Sequence, residues 1–150
     1  KMGNTKAIGV AYSDQDIDGG TIGAVIPSTI VGTTIYATTE IGYSAAAQGA
    51  VTQASSKSTA VTLNKSAGRI TMNGAELAAN TAVSFTMNNS LISANDVLIV
   101  CISGGGTAAA YTTYISSMTT GSAVVTLRNL TGGALSEAVI INFATIHCLT

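Results

Sequence analysis

The side chains able to do chemistry in this chain are few and poorly grouped. One histidine, His147, stands beside Cys148, and a second cysteine, Cys101, lies in a separate apolar run. Nucleophilic cysteine chemistry needs an imidazole converging on the sulfur. His147 and Cys148 are neighbours in what reads as an extended strand, where successive side chains point to opposite faces, and no third group completes a triad around them. The expectation is a packed or partly exposed strand histidine, two buried thiols and no enzymatic activity. The cysteines have neither the density of a disulfide framework nor CxxC spacing. If their two runs pair as neighbouring strands the sulfurs can meet, a geometry that sequence does not fix.

The sharpest local pattern is Asp14-Gln15-Asp16-Ile17-Asp18-Gly19, with carboxylates at alternate positions before a glycine. It matches the first half of a calcium loop, but the twelfth position, which needs a bidentate Glu, is Val25. A solvated acidic turn is expected, with an incomplete oxygen-ligand site as the alternative. Gly104-Gly105-Gly106 follows a strand as a phosphate loop would, yet no Gly-Lys-Ser/Thr comes after it and the next segment reads as strand. Without a helix N-terminus the anion site is missing. No metal and no cofactor are expected. Three glycosylation sequons, at Asn64, Asn88 and Asn129, carry little weight in a chain this rich in Ser and Thr. For sugar stacking the chain offers no Trp and five Tyr, of which Tyr111 and Tyr114 fall on opposite faces of one strand.

The elements that must position these groups divide the sequence in two. Residues 1–50 are low in bulky side chains, and their apolar residues fall singly among Gly, Thr, Ser and Ala. Ile22, Val25, Ile26, Ile30, Val31 and Ile35 favour extended backbone, and Pro27 excludes a central strand position. Such a stretch cannot build a core and is expected to be an extended N-terminal arm. Residues 51–150 instead show about seven or eight strands separated by turn residues, the pattern of a sandwich or barrel. Thr59 to Lys65, Arg69 to Asn73 and Thr81 to Asn88 alternate apolar and polar positions, as half-buried strands do. Val97-Leu98-Ile99-Val100-Cys101-Ile102 is continuously apolar and is expected to be the most central strand, covered on both faces. Tyr111 to Met118 and Ser122 to Asn129 form a hairpin, and Ala138 to Cys148 closes the domain. The segment Gly74 to Asn80 is too short for a stable helix and reads as a connection.

Composition bounds the partners. Only 9% of the residues are charged while 47% are hydrophobic, and the formal net charge is −1. Ordinary soluble domains carry about 25% charged residues and use net charge to resist association. The six Lys and Arg are scattered, so no footprint for a phosphate backbone exists and nucleic acid is not an expected partner. No apolar run approaches the roughly 18 residues of a membrane span, and no membrane partner is expected. The composition fits a protein that works in an assembly.

Two stretches carry a resemblance. The first is Gly49-Ala50-Val51-Thr52-Gln53-Ala54-Ser55-Ser56-Lys57-Ser58-Thr59-Ala60-Val61-Thr62-Leu63-Asn64-Lys65, continuing through Gly68 to Asn73, Leu77 to Thr81 and Val83 to Thr86. The second is Leu127-Arg128-Asn129-Leu130-Thr131-Gly132-Gly133 with Leu135 to Ala144. Together they resemble a small β-domain of tailed-bacteriophage virion proteins, over residues 41–146. Val10 to Asp14, Gly19 to Ile22, Ile26 to Thr29 and Thr33 to Ile35 are similar to the segments that precede tail-fibre and head-decoration domains. The resemblance implies a non-enzymatic virion protein on the outer capsid surface or the tail. The expectation is an all-β, antiparallel sandwich of jelly-roll type with an extended arm, acting as a trimeric capsid decoration (cement) protein on the major capsid protein. The alternative is a tail or neck fibre component with a receptor- or glycan-binding β-domain. Tyr12, Ile22, Ile26, Ile35 and Tyr36 are the expected assembly contacts, because an arm without a core must bury its apolar groups on something else.

Overall fold

The computed structural model describes residues 34–148. Residues 1–40 fall in one unit and residues 41–150 in a second. The described part of the first unit, residues 34–40, has no regular structure and is exposed.

The second unit is nearly all β. A three-residue 3-10 turn, Ala45–Ala47, leads into eight strands: β1 (Gln48–Thr52), β2 (Val61–Thr62), β3 (Ala67–Thr71), β4 (Ala82–Asn88), β5 (Val97–Gly104), β6 (Tyr111–Thr119), β7 (Ser122–Asn129) and β8 (Ile140–Ile146). They make two four-stranded sheets, sheet A in the order β1-β3-β8-β5 and sheet B in the order β2-β4-β7-β6. Each sheet is mixed rather than wholly antiparallel. The edge pairs β1/β3 and β2/β4 are parallel, and the other pairings are antiparallel.

The period-2 patterns explain which faces meet. Ile70, Phe85, Met87, Val125, Leu127, Ile141 and Phe143 point between the sheets and are buried, joined by Met72 and Val139 just beyond strand ends. Removing each such side chain from water contributes about 1.5–3 kcal/mol. β4 follows the alternation expected of it, with Ser84 and Thr86 turned away from the core, and β7 turns Thr126 and Arg128 the same way. The hairpin between β6 and β7 turns at Gly121, whose φ of 83° suits a residue without a Cβ. β2 is shorter than the expected Thr59 to Lys65, because the Lys65 amide turns back onto the Leu63 carbonyl instead of extending the ladder. The closing strand ends at Ile146 rather than Cys148.

Two expectations are corrected. β5 is an edge strand of sheet A, not its centre; β8 and β3 hold the central places. Its Val97, Ile99 and Cys101 alternate outward and are exposed, while Leu98 is buried. A run that is apolar at every position signals burial only when both faces are covered, and the described residues cover one. The thiols are not buried either: Cys101 points outward from β5 and Cys148 lies past the end of β8, and both are free and exposed.

Candidate interaction face

The two outer faces of the sandwich differ in chemistry. On sheet B the outward positions form a hydroxyl network: Ser84 Oγ and Thr126 Oγ1 lie 2.8 Å apart, and Thr126 Oγ1 donates to Ser116 Oγ at 3.0 Å. Polar groups here satisfy one another and leave Tyr114 as the half-exposed aromatic.

Sheet A carries cross-strand rows fixed by its register. Gln48, Ala67, Ala144 and Ile99 form one row; Ala50, Arg69, Asn142 and Cys101 form the next; Ile146 stands beside Val97. The β1/β3 side is a polar hollow of about 440 Å³ bordered by Gln48, Arg69 and Asn142. The β8/β5 side is apolar. There the chain segment Ile41 to Tyr43 passes over β8, held by the Tyr43 hydroxyl donating to the Thr145 carbonyl and by Gln48 Nε2 donating to the Tyr43 carbonyl at 2.8 Å. Between this strap and β5 lies a cleft of about 550 Å³ lined by Ile41, Tyr43, Ile99, Ala144, Ile146 and His147. Val97, Ile99 and Ile146 are each about half exposed, and Ile41 is 83% exposed.

A polar latch closes one end of the cleft. The Asp96 carboxylate is buried and accepts hydrogen bonds from Ser93 N and Ser93 Oγ, both at 2.8 Å, and from Cys148 N at 3.0 Å. His147 Nδ1 lies 2.8 Å from Asp96 Oδ2. These donors, Ser93 N foremost, hold the Asp96 carboxyl well below the ordinary carboxylate range despite the opposing effect of desolvation. The arrangement fixes the imidazole and joins the chain after β8 to the turn before β5. An oriented imidazole is half of a catalytic pair, but among the described residues no hydroxyl or thiol is bonded to it. Among the described residues no group of three or more His, Cys, Asp or Glu side chains is placed to hold a metal ion.

A second polar cluster ties loops at the far end of the sandwich. Lys57 Nζ donates to the Asn73 carbonyl at 2.6 Å and to the Glu137 carbonyl. Burial lowers the Lys57 pKa, against the raising effect of Glu137. The Glu137 carboxylate accepts from Thr107 Oγ1 at 2.7 Å and Thr107 N at 3.1 Å, which lowers its pKa. Beside it the buried Tyr111 phenol is pushed up to about 12, chiefly by desolvation and then by Glu137. Its hydroxyl has no hydrogen-bond partner in this geometry.

Of the expected assembly contacts, Tyr12, Ile22 and Ile26 lie outside the described residues, as does the acidic turn Asp14 to Gly19. Ile35 is 62% and Tyr36 90% exposed. The sequon residue Asn129 is fully buried and serves the fold: its Nδ2 donates to the carbonyls of Leu77, Ala78 and Gly133. Gly105 does not line an anion site but makes a tight turn at φ 73°, where a Cβ would come 2.2 Å from the Ala138 carbonyl oxygen. Sequence reasoning missed Asp96 and Lys57; a lone carboxylate opening an apolar run was the available signal for the first. Comparisons with protein-family models, curated proteins and solved structures find no match.

Proposed function

We propose that this chain is a non-enzymatic structural protein of a tailed-bacteriophage virion, a capsid decoration (cement) protein that binds the major capsid protein on the outer surface of the head as a trimer. In this reading the sandwich is a jelly-roll-type body, and the N-terminal residues are an extended arm laid across neighbouring subunits by strand addition and many small contacts. Repeated weak attachments then raise avidity without one strong site. The observation that carries the proposal is the apolar outer side of sheet A, with Val97, Ile99, Ile146 and Ile41 unsheltered among the described residues of a chain that is 9% charged. Contiguous exposed apolar surface marks interaction sites. Exposed Ile35 and Tyr36 support the arm.

The hydroxyl-rich outer face of sheet B with half-exposed Tyr114 favours a second reading, a tail or neck fibre component whose β-domain contacts glycan. Copies per particle separate the two. Occupancy of repeated lattice sites on expanded shells supports decoration, and a few copies confined to the tail sink it.

A further inference from the structure

Four strands form the edges of the two sheets, and three are blunted. β2 is two residues long. β6 breaks register between Ile115 and Ser117 and turns Thr112 and Ser116 outward. β1 is guarded by Lys65, whose Nζ donates to the Ala46 carbonyl at 2.9 Å and whose Cγ would meet a Cβ at Gly49 at 3.0 Å. Charge, bulges and short length are the usual protections against edge pairing. β5 lacks them. It runs eight residues as Val-Leu-Ile-Val-Cys-Ile-Ser-Gly with no charge and no proline, and its one irregularity lies at the end, between Ile102 and Gly104. Among the described residues β5 pairs with β8 alone, so one side of its backbone has no strand partner.

We propose that the β5 edge is a self-association surface, on which Leu98 to Ile102 of two copies pair antiparallel about a two-fold axis at Val100, setting Ile99 beside Cys101 of the other copy and making sheet A continuous across them. Charge favours a second copy as the occupant. A two-fold contact sets a surface against itself, so a charged edge would meet its own sign; here the strand is neutral and the whole chain carries a net charge of −1. The flanking acid, Asp96, is already engaged by His147. Packing agrees: the outward row Val97, Ile99 and Cys101, with Ile146 behind it, would continue into the same row of the partner copy. The inference does not rest on the virion reading, and its test uses purified protein.

The test takes the full chain with Cys148→Ser, which leaves Cys101 as the one thiol. Light scattering across a concentration series should show a dimer, and a short bismaleimide should join two copies through Cys101. Ile99→Lys places like charges across the pair and should lower cross-linking about tenfold, with the circular-dichroism spectrum of the folded chain at 25 °C kept because Ile99 is half exposed. Val97→Lys should do the same and serves if the first variant does not fold, while Tyr114→Lys on sheet B should change nothing. A monomer at every concentration would overturn the proposal, as would a dimer indifferent to both lysines. A monomer whose β5 amides all resist hydrogen exchange would also overturn it, by showing that the chain's own residues cover the edge.

Discussion

Single side chains in this molecule mostly hold loops, and two of them make that measurable. Asn129 spends both Nδ2 hydrogens on three carbonyls, and its Oδ1 accepts from Thr131 N at 2.9 Å and Thr131 Oγ1 at 2.8 Å. Asn129→Ala leaves these groups unpaired in a buried place and should cost about 3 kcal/mol in urea unfolding. Asp96 reads out through pH. Its carboxyl pKa is lowered in the folded state, so its contribution is present above the ordinary carboxylate range near 4 and is lost as pH falls below it. Urea midpoints should therefore drop in acid for the native chain. Asp96→Asn should lower the midpoint at pH 7 and flatten that acid limb. The lone carboxylate before an apolar run was the one sign of Asp96 in the sequence, and its pairing was not legible, since Asp96 and His147 stand 51 positions apart and nothing local pairs them.

At the scale of elements, two turns with similar backbone should respond differently to the same change. Gly105 and Gly121 both have positive φ, at 73° and 83°, but a Cβ at Gly105 collides with Ala138 whereas one at Gly121 meets nothing within 4 Å. Gly121→Ala should cost about 1 kcal/mol of backbone strain, and Gly105→Ala about 3 kcal/mol because a backbone carbonyl must also move; thermal denaturation checks both. The strands themselves were legible where one face is wet: β4 alternates in sequence and in burial, and β6 and β7 were legible as a hairpin from the loop between them. β5 was misread because uncovered apolar positions look the same in sequence as covered ones. The parallel pairings of β1 and β2 were hidden for a different reason. Nothing in a short strand's composition says which later strand it will lie beside. The candidate face inherits that limit, since its rows are drawn from β1, β3, β5 and β8.

For the whole molecule, removing residues 1–40 leaves the second compact unit whole. If the arm carries attachment, this truncation should keep the melting temperature of the sandwich while full occupancy of capsids is lost; undiminished occupancy would place attachment on the sandwich alone. The order of strands in sheet A has a further consequence, for synthesis rather than for binding. β8, the last strand among the described residues, lies between β3 and β5, and its pairing joins Ala67 to Ala144. Until residues 140–146 leave the ribosome, β3 and β5 have no strand between them and the inner apolar face of sheet A cannot be assembled. β4, β6 and β7 are complete earlier and can pair first. Folding of the sandwich is therefore expected to wait for β8 to clear the ribosome, at the slow end for a domain of this size because its closing contacts are so distant in sequence. A nascent chain stopped short of residue 140 should remain protease-sensitive throughout sheet A.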